Sequence, residues 1–366
     1  MLKLLAVCGL VWSTFNVVQA VEPPTVEPLT ITLPQEYQVF QREKADQGKI
    51  RIEGKTTQAK TVTARLDQGE WQPLTIQDDG QTFAVDLLAP VGGWYVVEIR
   101  LCKGEKTVAE KKIEHVGVGE IFIVAGQSNS ANYGSEKQKP ASGKVVNFDG
   151  TRWSIANDPQ PGATGNGGSF LPAFGDALVE KIHVPVAVVP CGIGATSVRQ
   201  WLPKGERMTI SPTTGAFVKQ VERGVWECNG QPFDTLLNRV NHFGPHGVRA
   251  ILWHQGESDC GQATEHEITG EQYRQFAEVM IRESRKQAGW DIPWLVAQVS
   301  YHGGKTPLYD GIRAAQQSLW KDGLAHEGPD TDGLKQDYRS GVHFNTKGLQ
   351  AHGQLWAEKI MGQLER

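Results

Sequence analysis

Ile121-Phe122-Ile123-Val124-Ala125-Gly126-Gln127-Ser128-Asn129 is the stretch that decides the fold class. Five apolar residues run without a break, then stop at a glycine and three polar side chains. A half-exposed strand would alternate, so the unbroken run predicts a parallel strand covered on both faces. Residues 184–190, Ala250-Ile251-Leu252-Trp253 and Pro293-Trp294-Leu295-Val296-Ala297 share this texture. Between them lie stretches with helical spacing: 173–182, 270–288, 311–320 and 346–364. In the second of these, Tyr273, Phe276, Met280 and Ile281 recur at three-to-four spacing. Strand alternating with helix predicts an α/β layered fold on a parallel sheet over 116–366. In such sheets ligands sit beyond the carboxyl ends of the strands, so the chemistry should follow the apolar runs.

Upstream the texture differs. Residues 29–115 hold short segments of period two, such as Lys49-Ile50-Arg51-Ile52-Glu53 and Thr61-Val62-Thr63-Ala64-Arg65-Leu66, separated by turns such as Asp78-Asp79-Gly80. They predict a small Ig-like β-sandwich domain. Residues 21–28 are rich in Pro and Glu and read as a linker. Residues 1–20 open with the short positive start Met1-Leu2-Lys3, continue through a short apolar run and end in Val18-Gln19-Ala20, the pattern of a signal peptide cleaved after Ala20. That run is too short to span a bilayer. The mature protein is therefore expected to be soluble and either secreted or periplasmic, with no membrane span.

The 366 residues carry a formal net charge of -4, with 21% charged and 39% hydrophobic residues. A basic surface for nucleic acid is not expected. Eleven tryptophans allow sugar-stacking surfaces, although most Trp is core. Beyond the signal segment stand Cys102, Cys191, Cys228 and Cys260. If one disulfide exists, it joins two of the last three; free buried thiols are the other reading.

Four polar clusters follow the apolar runs. In the first, Ser128 sits where a strand should turn into a helix, among unpaired N–H groups that can hold an oxyanion. The plainer reading is a helix N-cap. The second, Cys191-Gly192-Ile193-Gly194-Ala195-Thr196-Ser197-Val198-Arg199-Gln200-Trp201, offers small residues for close backbone approach. The third, His254-Gln255-Gly256-Glu257-Ser258-Asp259, supplies an amide and two carboxylates without a zinc-binding spacing. The fourth, Ser340-Gly341-Val342-His343-Phe344-Asn345, brings a histidine before the last helix. A serine nucleophile needs such a base to take its proton.

Taken together, Gly-Gln-Ser-Asn, the Gly-rich turn ending in Trp, His-Gln-Gly-Glu-Ser-Asp and the late His resemble the SGNH hydrolases. More narrowly, they resemble the sialate O-acetylesterase and acetylxylan esterase branch. The resemblance covers about 117–366. It implies a three-layer flavodoxin-like domain and a serine esterase acting on O-acetylated sugars, with no metal or cofactor. It implies Ser128 as nucleophile, His343 as base, and an oxyanion hole of Ser128 N–H, Gly194 N–H and the Gln255 amide. The family usually has Asp three residues before the histidine, and here that position is Ser340. The acid behind His343 is then Glu257, with Asp337, Asp332 or Asp330 as alternatives, or a backbone carbonyl serves instead. Arg199 and Trp201 are expected at the pocket mouth, where the guanidinium would suit a sialic acid carboxylate. Acetylated polysaccharide such as xylan is the alternative substrate. A non-catalytic carbohydrate-binding protein, or a lipase on the same scaffold, are the rival functions. For 29–115 a packing or orienting role is expected over sugar binding.

Overall fold

The computed structural model describes residues 27–57, 61–77, 79–303 and 308–364. The expected signal peptide at 1–20 and most of the expected linker at 21–28 lie outside the described residues.

Seven strands come first: β1 (Leu29–Leu33), β2 (Val39–Gln41), β3 (Gln47–Thr56), β4 (Thr61–Leu66), β5 (Gln72–Leu74), β6 (Thr82–Pro90) and β7 (Gly92–Lys103). One antiparallel sheet has the order β1-β3-β6, and β4 pairs antiparallel with β5 and β7. Ile50 and Ile52 of β3 meet Val62 and Ala64 of β4 and Val97 and Ile99 of β7 in one core. Burial of alternate side chains is the physical origin of the period-two pattern.

β8 (Lys106–Gly126) belongs to both regions. Its first half pairs antiparallel with β7 and alternates in exposure. From Val116 onward every residue is buried, and the strand enters the parallel sheet. The division expected at 115/116 therefore falls inside one continuous strand. An ion cluster centred on the buried Glu120 sits beside this junction. Glu120 accepts from Arg42 Nε at 2.6 Å and from Arg249 Nε at 2.7 Å, tying the end of β2 to the approach to the sheet's next strand.

The remaining elements are β9 (Val145–Phe148), β10 (Trp153–Ile155), α1 (Leu171–Ile182), β11 (Val186–Pro190), β12 (Arg207–Met208), β13 (Val218–Glu222), β14 (Val225–Cys228), α2 (Gln231–Phe243), β15 (Ala250–His254), α3 (Gly270–Ala288), β16 (Trp294–Gln298), α4 (Asp310–Lys321), β17 (His326–Asp330), β18 (Arg339–Ser340), β19 (His343–Phe344) and α5 (Thr346–Leu364). The central sheet runs β10-β9-β11-β8-β15-β16-β17. All its neighbours are parallel except β10 on β9. The path β11-β8-β15-β16-β17 has the doubly wound order 2-1-3-4-5, extended at one edge by β9 and β10. Successive residues of β8 serve opposite faces. Ile121, Ile123 and Ala125 pack with residues of α2, α3 and α4, and Phe122 and Val124 with residues of α1 and α5. Two covered faces explain the unbroken apolar run. The class is mixed α/β, as the alternation of strand and helix predicted.

Some elements went unforeseen. Pro232 lies in the first turn of α2, where proline is tolerated, and the buried Phe233, Leu236, Leu237 and Val240 carry the helical spacing. The hairpin sheet β12-β14-β13 and the polar strand β17 have no apolar run to announce them. The four cysteines among the described residues are free. Cys191, Cys228 and Cys260 are buried, so the free-thiol reading is the one this structure has and the bridge is absent. Among the described residues, no helix is long and apolar enough to cross a membrane.

Gly126 makes the turn after β8. Its φ is 129°, and a methyl group there would overlap the His254 carbonyl. Gly126→Ala is expected to cost about 3 kcal/mol or more, through strain and overpacking together. The loss should show as a lower urea midpoint at constant slope. An unmoved midpoint would mean that the turn relaxes.

Candidate active site

Three strands end side by side: β8 at Gly126, β11 at Pro190 and β15 at His254. The chain leaves β8 with Gln127 N–H donating to His254 O at 3.1 Å, then makes one 3-10 turn over Ser128–Ser130. Ser128 opens that turn. Its N–H and its hydroxyl have no hydrogen-bond partner among the described residues. Gln127 is fastened across the gap, where its Oε1 accepts from Ser258 N at 2.9 Å.

A cleft of about 370 Å³ opens at these strand ends. Its walls include Ser128, Tyr133, Gly194, Glu257, His302 and His343. Four residues named from the sequence therefore share one cavity: Ser128, Gly194, Glu257 and His343. A larger cleft, about 500 Å³, lies at the opposite ends of the strands beside Arg249, Pro293 and Leu295 and holds none of them.

His343 is half-buried in β19, the short strand paired with β18, so Ser340 stands directly opposite it. Its ring packs against Tyr133, with centroids 5.5 Å apart at 32°. Among the described residues the ring has no hydrogen-bond partner and no acid behind it. What is fixed is the backbone. The Val342 carbonyl accepts from Asn129 Nδ2 at 3.2 Å and from Arg339 Nη1 at 2.7 Å. Arg339 is buried, and its guanidinium lies over the Phe344 ring at 4.0 Å and the Tyr301 ring at 4.4 Å. Burial, with repulsion from the Arg339 cation, holds the His343 pKa below its usual value.

Glu257 does not bond to His343. Its Oε1 accepts from Asn129 Nδ2 at 2.8 Å, and its Oε2 is buried without a partner. Burial pushes its carboxyl up to about 7. Asp332 and Asp330 are committed to Arg313, with Arg313 Nη2 2.7 Å from Asp330 Oδ2. Asp337 meets this region only through its backbone, as its carbonyl accepts from Asn345 Nδ2. Asn129, Arg339, Tyr133 and His302 were not singled out from the sequence. Only Asn129 had a local signal, its place next to Ser128.

Three expected placements are corrected. Gln255 is fully buried and does not line the cleft; its amide nitrogen lies within donating distance of Asp259 Oδ2 at 2.7 Å, Thr196 O at 3.1 Å and Gln127 Oε1 at 3.3 Å. The buried carboxylate four residues on has drawn the amide inward. Arg199 is fully buried instead of standing at the pocket mouth. Its donors go to Ser197 Oγ, Ile210 O, Ser211 O, His266 O and Asp259 Oδ1. Trp201 is also fully buried, with Nε1 donating to Thr196 Oγ1 and its ring edge-on to Trp253. Gly194 does line the cleft, but its N–H donates to Thr164 Oγ1 at 2.8 Å. The next residue, Ala195, has φ 58° and lines the cleft too, and its N–H has no acceptor among the described residues. Thr164 belongs to the Gly-rich segment 162–168.

Arg199→Met is accordingly expected to destabilise the protein by about 3–5 kcal/mol, because it leaves the buried Asp259 carboxylate without its counter-charge. Thermal or urea unfolding reads this. A variant as stable as the parent, with only a raised KM, would restore Arg199 to the ligand.

A profile of the family "carbohydrate esterase, sialic acid-specific acetylesterase" matches residues 118–362, more than half of the chain. The chain belongs to this family. By family it is a carboxylic ester hydrolase of the carbohydrate acetylesterase type. A solved structure of a carbohydrate acetylesterase from Xanthomonas citri is similar at 18% identity and TM-score 0.54, covering 90% of this chain and 74% of that one. A solved protein of Arabidopsis thaliana is similar at 21% identity and TM-score 0.49, covering 66% of this chain and 98% of that one. No curated protein matches this esterase. The likeness to the Xanthomonas structure is one of fold.

Proposed function

We propose that this esterase removes O-acetyl groups from sugars through an acetyl-serine intermediate on Ser128. The observation that carries the reading is that Ser128, with a free N–H, shares one cleft with His343. His343 takes the Ser128 hydroxyl proton as Oγ bonds to the acetyl carbonyl carbon. The carbonyl oxygen becomes an oxyanion, held by Ser128 N–H and by a backbone N–H of the Gly194-Ala195 turn. Ala195 N–H is free for this, whereas Gly194 N–H must first leave Thr164. Collapse breaks the bond to the sugar oxygen, which leaves with the proton from His343. Water repeats the sequence and releases acetate. The hydroxyl and the imidazole are not hydrogen-bonded in the free protein. Such contacts often close only when substrate arrives.

The sialate reading draws on the family's name. Burial of Arg199 favours the second substrate, a neutral acetylated polysaccharide, because no Arg or Lys among the described residues lines the cleft. Acetate release from 9-O-acetylated sialic acid and from acetylated xylan, measured side by side, separates the two. Faster turnover of the sialic acid would sink the neutral reading, and faster turnover of xylan the sialate one. Release from neither would remove the esterase proposal itself. We place the protein outside the cytoplasm, on the signal-like segment 1–20. The β-rich region before β8 is assigned a packing role, supported by the shared strand and the Arg42–Glu120–Arg249 cluster.

A further inference from the structure

We infer that a second recess beside the cleft is a binding subsite for a neutral sugar unit next to the acetylated one. The inference rests on the esterase reading and extends it to the class of substrate: an acetylated oligosaccharide or polysaccharide of uncharged sugars.

The recess, about 180 Å³, shares Ala195, Ser258 and Gln262 with the Ser128 cleft, so the two adjoin. Its far wall is Pro212, Thr213 and Thr214, and its floor is Ser197 and Gln200. No lining residue carries a charge. Hydroxyl and amide groups beside an apolar proline face suit a pyranose ring, which offers hydroxyls at its rim and C–H groups on its face. A carboxylate would find no cation among them.

The wall is built, not draped. Arg199 Nη1 donates to Ile210 O at 3.1 Å and Ser211 O at 2.9 Å. Gln200 Nε2 donates to Ala216 O at 2.6 Å and Thr214 Oγ1 at 3.2 Å. Thr214 Oγ1 donates to Ala195 O at 3.3 Å, and Thr213 Oγ1 donates to Gln262 Oε1. Two buried side chains thus fasten the segment 210–216 against the Gly194-Ala195 turn, leaving the recess formed before any ligand arrives. Preorganisation of this kind lowers the cost of binding. Open valences remain inside. Ser258 Oγ has no partner among the described residues, and Gln262 Nε2 uses one N–H on Cys260 O. The buried Arg199, a cation withdrawn from the pocket, is one of the two side chains that hold this wall in place.

The test compares kcat/KM for an acetylated xylo-oligosaccharide, an acetylated xylose and p-nitrophenyl acetate. The intact protein should prefer the oligosaccharide over the acetylated xylose by about tenfold or more, the binding of one additional unit being realised in the transition state. Thr213→Trp, which fills the recess, should bring that ratio near one, and Thr213→Ser should keep it. No preference in the parent, or a ratio unmoved by Thr213→Trp, overturns the subsite. Calorimetry with unacetylated xylotetraose tests it independently of turnover. A Kd raised about fivefold or more in Thr213→Trp supports the subsite, and an equal Kd refutes it. Absence of p-nitrophenyl acetate hydrolysis in the parent would instead remove the esterase reading.

Discussion

Ser128→Ala is expected to lower kcat/KM for p-nitrophenyl acetate by about 10⁴-fold or more, while the unfolding midpoint stays where it is. The size follows from removing the atom that forms the acyl bond. Groups acting as one nucleophilic unit lose nearly everything together, leaving what binding and the oxyanion donors supply. Unchanged stability follows from the structure. Ser128 Oγ makes no hydrogen bond among the described residues, so alanine strands no donor or acceptor. The turn itself is held by backbone bonds and by Gln127, which the substitution leaves alone. Retained activity would falsify the nucleophile. A large loss of stability alongside inactivity would point to the capping role that a serine at a strand-to-helix turn can also play.

The second large effect belongs to His343. His343→Ala should cost about 10³-fold in kcat/KM, within the range for a positioned general base. The pH profile carries more information. Burial and the Arg339 cation both disfavour the imidazolium, so the pKa lies below 6.5. The base is therefore neutral at pH 7, and activity falls only as pH drops through that lowered value. Arg339→Met removes the repulsion and should move the acid limb upward. The groups facing His343 are Arg339, the Glu257 carboxyl, the Tyr133 ring and His302 across the cleft. Glu257 gives a competing outcome, because its carboxyl ionises near 7. If that ionisation governs catalysis, the limb sits near 7 and vanishes in Glu257→Gln. A limb below 6.5 that survives Glu257→Gln assigns it to His343.

The missing acid at Ser340 is also better defined. The resemblance left Glu257, Asp337, Asp332, Asp330 or a backbone carbonyl open. Asp332 and Asp330 are taken by Arg313, Asp337 offers only its backbone, and Glu257 faces Asn129. In place of a carboxylate behind the ring, the described structure fixes the peptide before it, through Val342 O. Asn129 joins that peptide to Glu257 and to the turn carrying Ser128.

By itself the sequence determined the parallel sheet and the turn at which Ser128 stands. Both are local: an apolar run covered on two faces needs no distant information to be recognised, and Gly126 marks the bend within its own neighbourhood. The first three clusters could be placed at strand ends for the same reason. The direction of each side chain was decided only by the tertiary structure. Arg199 is buried because Asp259, sixty residues away, and three carbonyls of a loop and its neighbour satisfy its guanidinium. Gln255 turns inward to the same carboxylate. A charged or amide side chain follows whichever partner relieves its burial, and those partners meet only when the chain has folded.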